Sequence, residues 1–385
     1  MDFVKKTLGD LTVGKGQYGI GASAVDYSED LYTYLRITDI NDDGTLNVNN
    51  LKSINDKNAE RYLLQPNDIV FARTGNTTGR NYFYDGTDGI LVYAGFLIKF
   101  SIDSSKVNPK YIKYYCMSDE YKGWVQGHLT GSTRGNINAQ TYANMEISIP
   151  PREQQNRIVS ILEELERKRK NNIAINRNLS EQAEALYRKM ILDGSGEHRE
   201  CVLSDIADIV MGQSPKGDTY NDDGDGVVFY QGRAEFGERF PTRRLFTTDP
   251  KRMAKENSVL MSVRAPVGDI NVAYEECCIG RGLCSVSSKD NHQSFILYTM
   301  YSLKDKLDVY NGEGTVFGSI NKDSMKCMTI NVPNKELMDK FEEIAKPMDA
   351  MIKANYDENC RLVAMRDGLL LKLMSGELDV SEADI

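Results

Sequence analysis

The sequence is poor in the residues that build metal sites and disulfide frameworks. It has three histidines, and its seven cysteines include no C-x-x-C pair. An odd number of scattered cysteines does not indicate a disulfide framework, and the shortage of histidine argues against a zinc site. We therefore predict neither a metal centre nor a disulfide-stabilised fold.

Long apolar runs are also missing. No segment approaches the roughly 20 apolar residues that are needed to cross a bilayer. Residues 1–11 mix charges with single apolar residues, whereas a signal peptide has a cationic stretch followed by an apolar one. We expect a cytoplasmic protein that does not contact a membrane.

Positive charge is in deficit as well. The formal net charge is −9, which argues against a simple basic nucleic-acid binder because phosphate neutralisation normally takes a surplus of lysine and arginine. The acidic residues are concentrated at one end, since residues 334–385 carry 7 basic and 12 acidic side chains. A protein that reads DNA within a larger assembly can leave much of the phosphate contact to its partners, so this class stays open.

An internal repeat is the strongest feature that the sequence does have. Residues 131–138 align with residues 314–321 at an offset of 183, and the same offset continues without a gap through the pairs Pro150 and Pro333, Asn172 and Asn355, Asn176 and Asn359, and Leu186 and Leu369. Upstream, residues 8–11 match residues 203–206, whereas residues 68–73 match residues 258–264 only loosely, with Arg73 opposite Arg264. Each half therefore has a variable globular part followed by a shared helical part.

The helical parts follow a heptad pattern. Apolar positions recur in steps of three and four from Ile158 to Met190, and again from Phe341 to Leu373. Each helix is predicted to have roughly 39 residues and a length of about 60 Å at 1.5 Å per residue. Asparagines in the middle of both patterns favour register-setting pairs over a solvated section, and Pro347 predicts a kink or a later start of the second helix.

The globular parts are predicted to contain mixed β structure. Short apolar or alternating runs bounded by Gly, Asn and Asp indicate strands at residues 34–37, 68–72, 95–100, 227–230, 258–263 and 282–286. The glycine-containing stretch at residues 193–198 is the best linker in the chain. The expected organisation is a globular domain at 1–150, a helix at 151–193, a second globular domain at 194–333 and a second helix at 334–376.

Three short motifs were considered for chemistry. Gly14, Gly16 and Gly19 satisfy G-x-G-x-x-G, and Asp39 follows at the distance of a dinucleotide-binding fingerprint, but no convincing strand precedes them. A near P-loop at residues 9–16 lacks the Ser or Thr that holds magnesium. Pro150-Pro151 lacks the preceding Asn or Asp and the following aromatic residue of an amino-methyltransferase motif. No catalytic set remains.

Four segments together resemble the specificity subunits of type I restriction-modification systems, over essentially the whole chain. They are the opening at residues 8–11 (LGDL), the mid-domain signature at 67–75 (NDIVFARTG), the helix entry at 149–155 (IPPREQQ) and the closing motif at 371–377 (LKLMSGE). The second half departs from the pattern, because residues 263–266 (VRAP) replace the Arg-Thr-Gly turn and residues 333–336 (PNKE) replace Pro-Pro-Arg-Glu.

The resemblance implies an α+β fold, in which two mixed α/β target-recognition domains related by pseudo-twofold symmetry are separated by two long antiparallel coiled-coil helices. Each domain is then expected to read one half of a bipartite site in double-stranded DNA. The resemblance also implies a chain without an active site, which directs two methyltransferase subunits and two restriction subunits. S-adenosylmethionine, ATP and magnesium belong to those partners, and no cofactor is expected here.

Base edges are read by side chains that make bidentate hydrogen bonds to them, with Arg preferring guanine and Asn or Gln preferring adenine. The candidates in loops are Arg73, Asn76, Thr77, Arg80, Thr133 and Arg134 in the first half, and Gln231, Arg233, Arg243, Arg244, Arg264 and Phe317 in the second. Each has the alternative of being an ordinary surface residue, and Arg73 and Arg264 have the further alternative of anchoring the domain core.

Two other functions remain as alternatives. One is a dinucleotide-dependent enzyme built on Gly14, Gly16 and Gly19. The other is a coiled-coil scaffold whose two globular domains bind proteins and have no role with DNA. Nicotinamide binding by the isolated chain would favour the first, and equal binding to all duplexes at raised salt would favour the second.

Overall fold

A computed structural model describes residues 3–129, 135–194, 198–311 and 318–380. The chain forms two compact units, and each long helix contributes one stretch to each unit. Unit 1 comprises Met1–Lys170 with Asn359–Ile385, and unit 2 comprises Asn171–Glu358.

The first half of the chain contains the following strands and helices, which end in a long helix. They are β1 (Val4–Thr7), β2 (Gln17–Tyr18), β3 (Ala24–Asp26), β4 (Tyr32–Leu35), β5 (Lys52–Ile54), β6 (Asp68–Ala72), β7 (Asn81–Tyr84), β8 (Leu91–Tyr93), β9 (Leu97–Ser101), α1 (Pro109–Tyr115), α2 (Asp119–Leu129), α3 (Ala139–Ala143), β10 (Glu146–Ile149) and α4 (Arg152–Tyr187), which continues as a π-helical turn at Arg188–Leu192.

The second half follows a similar order, with the helix α5 after its first strand and one additional strand. Its elements are β11 (His198–Val202), α5 (Leu203–Ile206), β12 (Ala207–Met211), β13 (Tyr220–Asn221), β14 (Val227–Tyr230), β15 (Phe246–Thr247), β16 (Met253–Ala254), β17 (Val259–Ser262), β18 (Ile270–Val272), β19 (Cys277–Ile279), β20 (Leu283–Ser288), α6 (Gln293–Ser302), α7 (Lys304–Asp308), α8 (Lys322–Lys326), β21 (Thr329–Pro333) and α9 (Lys335–Ser375). Short 3-10 turns occur at Leu8–Leu11, Ile37–Asp39, Val48–Asn50, Ala59–Tyr62, Gly217–Thr219, Arg233–Glu235 and Val309–Asn311.

The two units have similar sheet topologies, and one sheet of unit 2 has an additional edge strand, β16. Unit 1 has the antiparallel pair β1-β10, a sheet of order β2-β9-β6-β7, and a sheet of order β3-β5-β4-β8 in which β4 and β8 run parallel. Unit 2 has the pair β11-β21, a sheet of order β12-β20-β17-β18, and a sheet of order β13-β15-β14-β19-β16 in which β14 and β19 run parallel. The repeat that the sequence predicts is therefore confirmed at the level of strand order.

Buried central strands explain the apolar runs. Every residue of β6 is buried, and its side chains alternate between two cores, with Ile69 and Phe71 in one and Val70 and Ala72 in the other. A strand that is covered on both faces needs a continuous apolar run, which is how β6 was predicted. The runs at residues 227–230, 258–263 and 282–286 likewise correspond to β14, β17 and β20.

One predicted strand ends early. The run at residues 34–37 was expected to continue to Ile37, but β4 ends at Leu35 and Ile37 begins a 3-10 turn. The cause is a local ion pair, because the Arg36 guanidinium donates to the Asp39 carboxylate and the Arg36 backbone N–H donates to the same group at 2.9 Å.

The two predicted long helices are present, with 36 residues in α4 and 41 in α9. Predicted heptad positions are buried within each unit, including Leu162, Leu362 and Leu373 in unit 1, and Ala183, Phe341, Ala345 and Ile352 in unit 2. The prediction of a later start at Pro347 is wrong, because α9 begins at Lys335. Its first turns are held in place by the buried Glu342, which accepts the backbone N–H groups of Ser294 and Phe295 at the start of α6.

Asparagine pairing supports the register-setting interpretation of the mid-helix amides. In unit 2, Asn355 Nδ2 donates to Asn176 Oδ1 at 2.8 Å, and Asn172 Nδ2 donates to Glu358 Oε2 at 2.8 Å. A shifted register would separate these partners and leave half-buried amides without them, which costs more than losing an apolar contact.

His292 provides a pH-dependent contact between α6 and α9. Its side chain is 7% exposed, with Nε2 at 2.7 Å from Asp339 Oδ1 and Nδ1 at 3.0 Å from Asp290 Oδ1. Burial favours the neutral imidazole, but the two carboxylates outweigh burial and raise the pKa of His292 above its ordinary value. The pKa of Asp339 is lowered by its hydrogen bonds with Lys335 and then His292. Burial alone would raise the pKa of Asp290, but its hydrogen bonds with His292 and Ser288 outweigh burial and lower it.

We expect unit 2 to lose stability as the pH rises above neutrality. Because the pKa of His292 is higher in the folded chain than the unfolded value of about 6.5, protonation favours folding. That contribution is complete below the unfolded pKa and disappears as the pH passes through the folded pKa. Thermal unfolding of the wild-type chain and His292→Gln from pH 6 to 9 would show a steeper decline for the wild type, and parallel curves would contradict it.

Candidate nucleic-acid interface

The loop between β6 and β7 holds four of the predicted contact residues, Arg73, Asn76, Thr77 and Arg80. Its shape depends on glycine, because Gly75 has φ +81° and Gly79 has φ +91°. A Cβ on Gly79 would lie 2.4 Å from Val125 Cγ1, so α2 can pack closely against the loop only where no side chain intervenes. The Thr78 hydroxyl donates to Gly75 O at 2.7 Å and closes the turn.

A second segment lies beside this loop. Thr74 forms a bridge with Asn136, and the Thr78 hydroxyl is also 3.2 Å from Gly135 O. The predicted contacts Thr133 and Arg134 immediately precede Gly135 in the chain and lie outside the described residues. The turn at residues 75–79 and the segment that begins at Gly135 are thus held together in unit 1.

Arg73 is oriented by a neighbour that sequence reasoning missed. Its guanidinium carbon lies 5.0 Å from the centre of the Tyr18 ring, a cation–π distance. Tyr18 is itself held by its hydroxyl oxygen, which accepts the Ala139 N–H at 3.2 Å. The Arg73 Nε atom is buried and, among the described residues, has no hydrogen-bond partner. The stacked ring therefore restricts the arginine side chain without occupying its hydrogen-bonding edge.

Arg80 has a different environment. Its Nη1 donates to Ile40 O at 3.0 Å, and its Nη2 pairs with Asp42 at 2.6 Å. These contacts tie the loop to the segment after β4. Asn76 is exposed, and Thr77 is half-buried with its Oγ1 enclosed and unbonded among the described residues.

Three of the four predicted arginines of the second half are paired with acidic residues, whereas Arg264 is exposed. Arg233 pairs with Asp269, Arg243 with Glu275 and Arg244 with Glu235. Burial alone would lower the pKa of Arg243, but the hydrogen bond and charge of Glu275 outweigh it and raise that pKa. Gln231 is exposed, and Phe317 lies outside the described residues. Binding DNA through these arginines would require them to exchange a carboxylate for a base or phosphate.

Strand pairing corrects the alignment of the two halves. The Ile137 N–H donates to Arg73 O at 2.9 Å, and the equivalent Ile320 N–H donates to Val263 O at 3.1 Å. Arg264 forms a bridge with Ser319, as Thr74 does with Asn136. Arg73 therefore corresponds to Val263, and the predicted match of Arg73 with Arg264 is wrong by one residue. The sequence alignment was one residue out because it matched the arginine that occurs in both segments.

Two glycines of the dinucleotide-like motif have packing roles, and the third, Gly14, has a positive φ of +78° with open space around it. A Cβ on Gly16 would lie 2.5 Å from the Phe100 ring, and one on Gly19 would lie 2.3 Å from the Ala94 carbonyl oxygen. Gly212 makes the same close approach in unit 2, to Gly280 O at 2.1 Å. The motif follows a 3-10 turn and contains the short strand β2, and Asp39 is paired with Arg36, so the strand-to-helix context of a dinucleotide site is missing from this segment.

Neither a candidate membrane-spanning helix nor a cluster of potential metal ligands is present in residues 3–129, 135–194, 198–311 and 318–380. No helix in these ranges is long and apolar enough to cross a membrane. No group of three or more His, Cys, Asp or Glu side chains in the same ranges has the arrangement of a metal site.

Comparison with known proteins gives a consistent result. Residues 2–184 and 198–359 match the family described as "Type I restriction modification DNA specificity domain". The putative type I restriction enzyme MjaX specificity subunit of Methanocaldococcus jannaschii is 28% identical over 380 residues, covering 91% of this chain and 88% of that protein. The type I restriction enzyme HindI specificity subunit of Haemophilus influenzae is 20% identical over 460 residues, covering 94% and 99%.

The fold is also similar to a solved one. The crystal structure of the type I restriction-modification system S subunit from M. genitalium aligns with a TM-score of 0.58 at 16% identity, over 97% of this chain and 96% of that one. The family match covers both repeats, and the repeated strand order agrees with two copies of one domain. The chain therefore belongs to the type I restriction-modification DNA specificity family, as a specificity subunit.

Proposed function

We propose that this chain recognises a bipartite DNA site, with residues 1–150 and 194–333 each reading one half and with the helical segments 151–193 and 334–376 setting the distance between the halves. The observation that carries this is the repeated fold with different side chains at equivalent loop positions. Arg73 of unit 1 has Val263 as its counterpart, and Thr74 has Arg264. A shared framework with divergent loops suits two domains that read different bases.

We also propose that the chain is not an enzyme. Its partners are two methyltransferase subunits and two restriction subunits. Those subunits use S-adenosylmethionine, ATP and magnesium, and this chain binds none of these three cofactors. The double proline at the start of α4 follows Ile149 and precedes Arg152. It therefore offers neither an amide oxygen for a target amino group nor an aromatic ring to stack on a flipped base.

Methylation mapping tests this function directly. DNA from cells that express the chain with its partner methyltransferase is compared with DNA from cells that lack only this chain. The expected result is a split sequence motif with methyladenine in both halves, present only when the chain is expressed. If the methyltransferase is bound and active and no motif appears, the chain does not set specificity, and the protein-binding scaffold becomes the better explanation.

Arg73 gives a prediction about the first half of the motif. Arginine most often reads guanine, and losing a bidentate contact costs about 1–3 kcal/mol of discrimination. We expect Arg73→Ala to make one guanine position of one half-site degenerate, while the other half-site stays unchanged. Tyr18→Leu should weaken the same position by a smaller amount, since an exposed cation–π contact is worth about 0.5–1 kcal/mol. Tyr18→Phe keeps the ring and loses the hydrogen bond from the Ala139 N–H, so its effect should be smaller still.

The control for Arg73 is Arg61→Ala, which removes an exposed arginine of unit 1 from the 3-10 turn at Ala59–Tyr62. This variant is expected to leave the motif unaltered. An Arg73→Ala chain that still methylates the wild-type motif with the same selectivity would exclude a base-reading role. Arg73 would then be an anchor of the loop.

A further inference from the structure

A concave surface of unit 2 collects four lysines. The cavity has a volume of about 530 Å³, and its lining includes Lys255, Lys289, Lys322 and Lys326. We call these four residues the lysine surface. Lys255 precedes β17, Lys289 follows β20, and Lys322 and Lys326 lie one helical turn apart on α8. Four separate side chains therefore bring positive charge to one place in a chain whose net charge is −9.

The lysine surface lacks counter-ions within the part of the chain that the structure describes. None of its four ammonium groups forms an ion pair with a described carboxylate, and Asp208 is the acidic residue in the lining. Many other cations of unit 2 are paired, namely Arg233, Arg239, Arg243, Arg244, Lys251, Lys304, Lys335, Lys340 and Lys353. The Lys289 ammonium group donates to the backbone oxygen of Ser204 at 2.5 Å, which is a neutral partner. Like charges that converge without a carboxylate repel one another, so an anion from outside would relieve the repulsion.

The equivalent positions of unit 1 show whether the fold requires the four lysines. Asn257 and Asn67 have the same positive φ before β17 and β6, so Lys255 corresponds to Gln65. The Lys289 N–H donates to Ile206 O as the Asp103 N–H donates to Leu11 O, so these two correspond.

The two remaining lysines are matched through helix caps. Asn321 caps α8 as Asn138 caps α3, so Lys322 and Lys326 correspond to Ala139 and Ala143. Unit 1 thus builds the same backbone with one glutamine, one aspartate and two alanines. The four lysines are not needed to form this fold.

The side chains that line the cavity are of the types that bind the phosphates of a nucleic-acid backbone. Besides the lysines it contains the hydroxyl-bearing Ser204, Ser285 and Ser287, and no arginine is among its described residues. Lysine is a flexible point charge that binds phosphate, whereas flat, bidentate recognition of bases favours arginine. Lysine and serine side chains and backbone groups are typical of contacts that position DNA without reading it.

The position in the chain favours DNA over other anions. Ser319, three residues before Lys322, forms the bridge with Arg264, a predicted base-reading residue. We propose that the lysine surface binds the phosphate backbone of DNA beside the half-site that unit 2 reads, which rests on the proposed function. Unit 1 has Gln65, Asp103, Ala139 and Ala143 at the equivalent positions, so this phosphate contact belongs to unit 2.

Salt dependence of DNA binding tests this site. The full chain with its partner methyltransferase is titrated with a 30-bp duplex that lacks the motif, from 50 to 200 mM salt. Each phosphate contact contributes about 0.9 to the slope of log affinity against log salt. Lys322→Gln with Lys326→Gln should therefore reduce the slope by about 1.8, weaken binding to motif and non-motif duplexes alike, and leave the methylated motif unchanged.

The matched control is Lys251→Gln with Lys340→Gln, which changes the net charge equally but removes lysines paired with Asp249 and Glu336. If both double variants have the wild-type slope, the lysine surface does not bind phosphates. If Lys322→Gln with Lys326→Gln loses the methyltransferase at an unchanged slope, the surface binds an acidic protein and the assignment to DNA is overturned.

Lys255→Gln with Lys289→Gln repeats the test outside α8. A wild-type complex that binds no duplex would instead count against the proposed function.

Discussion

Replacing Asp68 alone with serine should lower the free energy of unfolding of unit 1 by about 3–5 kcal/mol. Asp68 is 1% exposed, accepts the Gln65 N–H at 2.8 Å and the Ser101 hydroxyl, and pairs with Lys99 at 3.3 Å. The Lys99 side chain is 13% exposed. Without the carboxylate, the largely buried ammonium group of Lys99 has no counter-charge. Removing one partner of a buried ion pair is strongly destabilising because the other charge stays buried and uncompensated.

The second repeat supplies the control for this experiment. Val70 lies opposite Lys99, and Leu260 lies opposite Ser285 in the same register, so Asp68 and Lys99 correspond to Ser258 and Ser285. The same site therefore tolerates two serines. We expect Asp68→Ser with Lys99→Ser to recover most of the lost stability, because no charge is then left buried. A double variant as unstable as the sum of the single variants would show that the ion pair is not coupled.

Hydrogen exchange of β6 and β9 is the suitable measurement, since it reports opening of this sheet. A loss of 3 kcal/mol corresponds to roughly a hundredfold faster exchange of the protected amides. Asp68 belongs to the segment by which the sequence resembles its family, so this experiment also separates a structural reason for that segment from a direct contact with DNA. Motif selection by the double variant should remain that of the wild-type chain.

Phe341→Ala is expected to destabilise unit 2 by about 3–5 kcal/mol. The ring is fully buried, and it packs edge-on against Tyr187 at 5.5 Å and Tyr298 at 5.8 Å between ring centres. It therefore joins α4, α6 and α9 within one core. Truncation leaves a cavity among two other aromatic rings that cannot collapse freely, and this adds to the lost transfer free energy.

Two variants of α9 check the cause of that loss. Phe341→Leu keeps much of the volume and should cost clearly less than alanine. Ile344→Ala removes a side chain that is 42% exposed on the same helix, and its effect should stay within about 0.5 kcal/mol. Urea denaturation followed by helix content measures all three variants. A Phe341→Ala chain that unfolds at the wild-type urea concentration would mean that the aromatic cluster does not stabilise the unit.

Strong periodic or apolar patterns allowed much of the fold to be predicted. The heptad spacing located α4 and α9, and the apolar run at residues 68–72 located β6, because both patterns follow from side chains that one element buries along its own length. Two-residue strands such as β2 and β13 have no such pattern. Their backbone hydrogen bonds come from distant strands, so local sequence carries little sign of them.

The candidate interface was predicted less completely. The loop candidates Arg73, Asn76, Thr77 and Arg80 were chosen from the sequence, but the contact between Tyr18 and Arg73 joins residues that are 55 positions apart. The carboxylate partners of Arg233, Arg243 and Arg244 were not predicted either. Ion pairs between loops depend on how the strands bring those loops together, and this information is absent from either loop alone.

The sequence by itself determined that the chain is a repeat, where its long helices run and which family it resembles, since each depends on residues close together or on a constant offset of 183. The tertiary structure alone decided the register within the globular parts, because an insertion between repeats can be located only by the hydrogen bonds that pair Ile137 with Arg73 and Ile320 with Val263. It alone also assembled the lysine surface. Each of its four residues is an ordinary lysine in the sequence, and they form the proposed anion-binding site only because β17, β20 and α8 bring their charges together.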